Sequence, residues 1–174
     1  MLPQRKEIRL KEYDYNAPGY YFITVCTKNK AKILCDIVGD GVLDGPKTKL
    51  SEYGEIADQQ IKIMSDFYDY ISVDKYVIMP NHIHLILHVH SGPSGRPKNG
   101  PSGRPVPTLA TTTKSAVSKF VGTFKRFCNR KYGKNIWQSR SYDHIIRGEQ
   151  DYKEIWEYIE ENPAKWREDK FYIE

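Results

Sequence analysis

The sequence predicts an α+β fold in which a mostly antiparallel sheet packs against helices. Short runs rich in β-branched and aromatic residues alternate with longer stretches whose apolar residues recur at helical spacing. The predicted order is β, α, β, β, α, β, α, which is typical of ferredoxin-like folds. The length fits a single domain over 1–174. A chain of 174 residues buries a core without needing a disulfide or a metal.

The strand predictions in the first half rest on composition, as in YYFITVCT, and the helix prediction rests on a cap and a periodic stripe. Ser51 is a suitable N-cap, and Ile61, Met64 and Phe67 follow at near-helical spacing. Pro80–Asn81 predicts a turn between two strands. The predicted elements are an arm over 1–19, a strand at Tyr20–Thr27, a hairpin within Ala31–Asp44, a helix over about 51–68 and strands at Asp74–Met79 and His82–His90.

The second half begins with a Gly/Pro/Ser/Arg segment that is too poor in apolar residues to form a core. It repeats GPSGRP at 92–97 and 100–105, which predicts a flexible basic loop over 91–107. An apolar stripe then predicts a long helix, and Pro163 ends the last one. The predicted elements after the loop are a helix over Thr108–Gly133, a strand at Asn135–Ile146 and a helix over Glu149–Asn162.

The distribution of charge predicts a nucleic-acid partner. The net charge is only +5, but no acidic residue lies between Asp74 and Asp143, where twelve Lys and Arg residues occur. The last 32 residues hold ten acids against five bases. A long basic block beside an acidic end is typical of a surface that binds a polyanion. The alternative is an ordinary solvated face.

Other classes of protein are not supported. The three cysteines show no C-x-x-C spacing, so neither a disulfide framework nor a zinc ribbon is expected. There is no apolar run of about 18 residues and no signal peptide, so we expect a cytoplasmic protein without a membrane partner. No phosphate-binding glycine motif is present, and we expect no nucleotide cofactor.

The segment PNHIH offers a pair of metal ligands. On a strand His82 and His84 point to the same face, where two imidazoles can hold one divalent cation. A half-buried strand that happens to carry histidines is the alternative. His88 and His90 lie on the same face and form a conceivable second pair. They are better interpreted as polar residues that face solvent or DNA.

The last predicted helix offers a nucleophile. Tyr158 and Asn162 are one turn apart on one helix face. A phenol attacks only after losing its proton, and its free pKa is about 10, so it needs a metal or a base nearby. The amide oxygen of Asn162 is a reasonable third metal ligand. The alternative is that Tyr158 simply packs in the core.

Four segments together resemble a known family. They are YVIMPNHIH (76–84), IWQ (136–138), YDHIIR (142–147) and YIEENP (158–163). This combination resembles the single-tyrosine HUH transposases, and within them the REP-associated tyrosine transposases. The segment 13–28 is also similar to that branch. The similarity runs from about residue 7 to 168.

The resemblance implies a fold, a chemistry and a partner. The fold is a ferredoxin-like HUH domain, with His82 and His84 holding Mg²⁺ or Mn²⁺ and Tyr158 as nucleophile. The family position four residues after the tyrosine is Gln, whereas Asn162 stands here and is one methylene shorter. The reaction cuts and rejoins single-stranded DNA beside hairpin-forming repeats through a 5′-phosphotyrosine. Tyr142 is the rival nucleophile.

The expected DNA contacts lie in the basic block and its neighbours, where cations bind phosphates and aromatic rings stack on bases. They are Arg96, Arg104, Lys114, Lys119, Lys125, Arg126, Arg130, Lys131, Tyr142 and Arg147. Two other functions stay open: a catalytically silent protein that binds repeat hairpins, and a metal-dependent hydrolase or RNA-processing enzyme without a covalent step. Monomer and homodimer, and a site within or between subunits, are also open.

Overall fold

A computed structural model describes residues 13–39, 45–90 and 115–173 of the chain. These residues form six strands and three α-helices, with short 3₁₀ turns at Lys28–Lys30 and Trp166–Glu168. The elements are β1 (Gly19–Cys26), β2 (Cys35–Val38), β3 (Lys47–Leu50), α1 (Glu52–Phe67), β4 (Ile71–Met79), β5 (His82–Val89), α2 (Ala116–Tyr132), β6 (Tyr142–Ile146) and α3 (Glu149–Glu161).

The main sheet has four strands in the order β4-β5-β1-β6, and every pair is antiparallel. β2 and β3 form a separate hairpin. The predicted α+β class and ferredoxin-like arrangement are confirmed. In β1 and β5 the register pairs Cys26 with His82 and Thr24 with His84, so the two histidines lie near one end of the central strand pair.

The two faces of the sheet are packed by different helices. Ile23 and Leu85 are typical of the first face, where the main core forms against α1 and α2. Alternate residues of the same strands point to the other face. There Ile86 packs with Ile159 of α3 in a smaller cluster. His82 and His84 lie on this α3 face, because both share the pleat of Ile86.

Several predicted boundaries differ from the structure. β4 begins at Ile71 rather than Asp74, because the strand continues through an irregularity between Val73 and Lys75. β6 covers only Tyr142–Ile146 of the predicted strand Asn135–Ile146. Before this strand, the carbonyls of Gln138 and Arg140 accept hydrogen bonds from the Lys125 ammonium. Trp137 forms only an isolated β-bridge, to Thr27 just after β1.

The start of α2 differs from the prediction, and part of the predicted arm lies in the core. α2 begins after Ser115, whose hydroxyl caps the helix by accepting from the Ser118 N–H, later than the predicted start at Thr108. The predicted loop over 91–107 and residues 1–12 of the predicted arm lie outside the described residues. Tyr15, from the described part of that arm, is buried in the main core. No helix of the described chain is long and apolar enough to cross a membrane.

Candidate active site

The site is built around two buried imidazoles at the start of β5. His82 and His84 are both fully buried, and their Nε2 atoms are 3.0 Å apart. The Pro80–Asn81 turn lets β4 and β5 pair directly, which sets His82 beside Met79 and Cys26 on the neighbouring strands. The predicted common direction of the two rings is therefore present in the structure.

Neighbouring side chains fix which nitrogen of each ring is available. The Nδ1 of His82 is 2.8 Å from the Asn81 Oδ1, while the Asn81 amide nitrogen donates to the Phe171 carbonyl. Since an amide oxygen only accepts, the His82 Nδ1 carries the proton and its Nε2 keeps a lone pair. The Nδ1 of His84 is held at 2.9 Å by the Thr24 hydroxyl. Both rings thus direct Nε2 towards the same point.

Burial keeps both rings neutral. It is the main cause that lowers the pKa of His82, and the neighbouring His84 lowers it further. Burial also lowers the pKa of His84, although the Asp169 carboxylate acts in the opposite direction. A neutral imidazole is the form that binds a metal ion.

Tyr158 reaches the pair from α3. Its hydroxyl oxygen is 3.2 Å from the Nε2 of His84 and donates to the Asp169 Oδ2 at 2.8 Å. The ring packs edge-on against Phe22, and the residue remains 36% exposed. Burial raises the pKa of Tyr158 and the bond to Asp169 raises it further, so the phenol is protonated at neutral pH. This tyrosine meets the histidines of its own chain.

Asp169 is the member of the site that sequence reasoning missed. It follows the 3₁₀ turn after α3, and its buried carboxylate lies 4.0 Å from the Nε2 of both histidines. Burial on its own raises the pKa of Asp169. His84, the Asn162 amide and the Phe171 main-chain N–H together outweigh burial and hold that pKa below its usual range. A lone Asp among several acids near the C-terminus carries no signal for this role in the sequence.

The donor set fits one divalent cation. The ligand atoms of His82, His84 and Asp169 all lie within 4.8 Å of one another. Two ligands at about 2.1 Å from one ion span roughly 3–4 Å, depending on their angle. Two imidazoles and a carboxylate are donors that Mn²⁺ and related ions accept. The structure therefore supports a metal site of neutral nitrogen and anionic oxygen donors.

Asn162, the predicted third ligand, lies beside this set. Its amide nitrogen donates to the Asp169 Oδ2 at 2.9 Å, which orients the carboxylate. Within the described residues its Oδ1 is buried and has no hydrogen-bond partner. A buried carbonyl oxygen without a donor is a costly arrangement, and a bound cation would satisfy it.

The C-terminal segment covers the histidines. The Phe171 ring is 4.7 Å from the ring of His82, and Trp166 packs at 5.9 Å. Next to Tyr158 a pocket of about 320 Å³ is open to solvent, and it is lined by Asn162, Lys165, Asp169 and four glutamates. Tyr158 therefore borders an open cavity whose lining is mainly acidic.

Comparison with known proteins adds a relative and a fold. No family model matches the sequence. An uncharacterized protein of Haemophilus influenzae is 32% identical over 175 residues, covering 98% of this chain and 94% of the relative. The chain belongs to the family of this Haemophilus protein. A solved structure of a REP-associated tyrosine transposase bound to a REP hairpin matches with a TM-score of 0.58 at 20% identity, over 91% of this chain and 73% of that one.

The chain thus has the fold of a REP-associated tyrosine transposase, and the resemblance predicted from the motifs is confirmed at the level of the fold. In this fold the predicted nucleophile and the predicted histidine pair come together from α3 and β5. Tyr142, the rival nucleophile, lies at the start of β6. It is 47% exposed and its ring is 5.8 Å from that of Phe171.

The predicted DNA contacts fall on more than one surface. Arg96, Arg104 and Lys114 lie outside the described residues. Arg126, Arg130 and Lys131 are exposed on α2, and Lys119 is partly buried there. Because α2 packs on the opposite face of the sheet from α3, this helix does not face Tyr158.

Two other predicted contacts have local structural partners. Lys125 is partly buried, and its ammonium binds the carbonyls of Gln138 and Arg140 at 2.8 Å and 3.1 Å. Burial lowers the pKa of Lys125 to about 8. The side chain of Arg147 is exposed, while its main-chain N–H donates to Asp151. As DNA contacts, all of these residues remain predictions.

The second histidine pair has its own surroundings at the far end of β5. His88 stacks on Tyr20 with ring centroids 4.1 Å apart, and His90 is 2.9 Å from the Ser72 hydroxyl. Within the part of the chain that the structure describes, no carboxylate joins these two rings to form a three-residue metal group. This agrees with their interpretation as polar surface residues.

Proposed function

We propose that the protein is a metal-dependent tyrosine transposase and single-strand DNA endonuclease of the REP-associated type. The observation that supports this most strongly is the position of the Tyr158 hydroxyl, 3.2 Å from His84 and 2.8 Å from Asp169. A tyrosine packed only for stability has no need of a buried pair of neutral imidazoles and a carboxylate around its oxygen. Nucleophile, base and metal donors are the components that covalent phosphoryl transfer requires.

The chemical step exchanges one phosphodiester bond for another. The Tyr158 oxygen attacks the scissile phosphorus, the bond to the 3′-oxygen breaks, and a 5′-phosphotyrosine forms. The Asp169 carboxylate orients the phenol by accepting its hydrogen bond, and the phenol proton passes to water in the open pocket beside Tyr158. The leaving 3′-oxygen takes a proton from water. Attack by a free 3′-hydroxyl on the phosphotyrosine reverses the step and joins a new strand.

His82, His84 and Asp169 would hold the divalent ion, Mg²⁺ or Mn²⁺, which when bound neutralises charge on the non-bridging phosphate oxygens. Asn81 keeps His82 in the tautomer that such binding requires, and Thr24 holds the ring of His84 in place through its Nδ1. Asn162 holds the Asp169 carboxylate within reach of both Tyr158 and the imidazoles. The Phe171 ring excludes water from the His82 side of the site.

The proposed substrate is single-stranded DNA next to a hairpin, as in the related solved structure, whose protein binds a REP hairpin. The basic block of the sequence supports a polyanionic partner. A chromosomal DNA substrate puts the reaction in the cytoplasm of a bacterial cell. Since Tyr158 meets the histidines of its own chain, a monomer can contain a complete site.

The test is a covalent-adduct assay. Wild-type protein is mixed with labelled hairpin oligonucleotides that carry single-stranded flanks, with Mn²⁺ or with a chelator, and run on a denaturing gel. We expect a shifted band that requires the ion and is lost in Tyr158→Phe. Tyr142→Phe is the matched control and should keep the band, because the ring of Tyr142 contacts Phe171, whereas the Tyr158 hydroxyl contacts His84.

A band that survives Tyr158→Phe and disappears in Tyr142→Phe would assign the nucleophile to Tyr142. Cleavage that needs the ion but leaves no adduct would favour the hydrolase. Binding of hairpins without any cleavage would favour the silent binding protein.

A further inference from the structure

The two sides of the candidate active site carry opposite charges. The pocket beside Tyr158 on α3 is lined by Glu154, Glu157, Glu161 and Glu168, with Lys165 as its one cation. A DNA strand lying along this wall would face four carboxylates. Two lysines from distant parts of the chain, in contrast, lie within about 6 Å of the Phe171 ring, which packs on His82. A phosphodiester chain is therefore favoured on the lysine side.

The two lysines flank Phe171. The Lys30 ammonium is 5.8 Å from the centroid of this ring and the Lys170 ammonium is 5.0 Å away. Within residues 13–39, 45–90 and 115–173, neither of them forms an ion pair with a carboxylate. Both ammoniums lie within cation–π range of the ring, and without a carboxylate partner both charges are available to a bound anion.

Both charges are close to the metal donors. The Phe171 ring that they flank packs at 4.7 Å on the ring of His82. A phosphate bound by the two lysines would thus lie next to the proposed reaction centre.

The turn that carries Lys30 is held in an unusual conformation. Asn29 and Lys30 have φ angles of 54° and 52°, in the left-handed region that residues other than glycine seldom adopt. Hydrogen bonds on both sides keep the turn in place, from the Lys28 N–H to the Ile136 carbonyl and from the Ala31 N–H to the Lys28 carbonyl. Such strain is concentrated at functional sites, where it positions a side chain.

An exposed ring completes the surface. Tyr142 is 47% exposed and its ring lies 5.8 Å from that of Phe171. Proteins that bind single-stranded DNA combine cations that follow the backbone with aromatic rings on which unpaired bases stack. Lys30, Lys170 and Tyr142 provide this combination at the edge of the histidine site.

We propose that Lys30 and Lys170 form a clamp for the phosphate of the single strand next to the scissile one, with Tyr142 as the stacking platform for its base. This inference rests on the proposed DNA substrate. The DNA strand would then approach over Phe171, away from the glutamates of α3.

The experiment measures DNA binding without cleavage. Two fluorescein-labelled hairpins are used in chelator, one blunt and one with tails of about eight nucleotides at both ends, within the usual site size of single-strand binders. Fluorescence anisotropy gives the affinity and its salt dependence for Lys30→Gln, Lys170→Gln and the double variant. Lys62→Gln is the control, an exposed lysine on α1, which packs on the opposite face of the sheet.

We expect each single variant to lose several-fold in affinity for the tailed hairpin and none for the blunt one. The salt slope for the tailed probe should fall by about 0.7 per lost phosphate contact. Lys30→Arg should restore binding, because it retains the charge on the same turn. Tyr142→Ala should weaken tailed binding without changing the slope.

Lysine variants that bind the tailed hairpin as Lys62→Gln does would overturn the clamp, and so would equal losses on both probes. Neither result bears on the adduct assay, which tests the proposed function separately. Tail-specific losses in a protein that forms no adduct would support the clamp and contradict the enzyme. Wild-type protein that binds neither hairpin would overturn both.

Discussion

At the scale of single residues, the site depends on which atom each side chain offers. His82 and His84 are recognisable in the sequence because alternate residues of a strand share a face. The tautomer of His82 depends on its neighbour Asn81, whereas His84 is held by Thr24 of another strand, 60 residues earlier in the chain. Asp169 comes from a segment 85 residues after His84 along the chain, so no local pattern relates the two.

Asp169 gives the prediction at this scale. Asp169→Asn keeps the shape of the side chain but removes the anionic donor. The affinity for Mn²⁺ should fall at least about tenfold, because even the loss of an outer-shell partner lowers metal affinity roughly 10–100-fold. Isothermal titration calorimetry measures it. The control is Asp151→Asn, a carboxylate on α3 that contacts His144, a histidine outside the donor set. Equal affinity in wild type and Asp169→Asn would remove Asp169 from the ligand set.

At the scale of elements, sequence patterns located the helices and the central strands and misplaced their ends. The boundary errors have one cause, which is that tertiary contacts decide where an element stops. The Lys125 ammonium takes carbonyls that a longer β6 would have used. β4 continues past Asp74 because β5 pairs with it as far as Ile71. Neither contact is visible in a window of neighbouring residues.

The start of α1 gives a prediction that combines local and tertiary structure. Ser51 caps the helix and also donates to the Leu34 carbonyl, which draws Gly54 of the first turn against the same carbonyl. A Cβ at Gly54 would lie 2.0 Å from the Leu34 oxygen, so the backbone would have to move. Gly54→Ala should lower the free energy of unfolding by at least about 1–3 kcal/mol.

The matched control is Gly122→Ala in α2. A Cβ at Gly122 meets no atom within 4 Å, and alanine is the better helix former by about 1 kcal/mol. The same substitution should therefore stabilise the protein there. Urea unfolding followed by circular dichroism gives both values. A Gly54→Ala protein as stable as the wild type would show that the α1 entry tolerates a side chain.

At the scale of the whole molecule, the sheet separates stability from chemistry. The large core lies between the sheet and the helices α1 and α2, with buried residues such as Ile23, Leu85 and Phe120. The other face carries a small apolar cluster, the histidines and α3. The sequence predicted the apolar stripes of α1 and α2, the histidine pair and Tyr158. It did not predict that a C-terminal segment would cover the pair, because that depends on how the chain returns after Pro163.

This separation predicts a folded protein that does not require its metal. Chelator should leave a cooperative thermal transition, because the main core has no metal ligand in it. Saturating Mn²⁺ at about a hundred times its dissociation constant should add roughly 2.7 kcal/mol by mass action. For a chain of this size that raises Tm by about 5–10 °C. Differential scanning calorimetry measures the shift.

His84→Gln, a neutral substitution within the site, should unfold cooperatively and show no shift with Mn²⁺. A chelated wild type without a transition would mean that the ion is structural, and an equal shift in His84→Gln would place the ion elsewhere on the molecule.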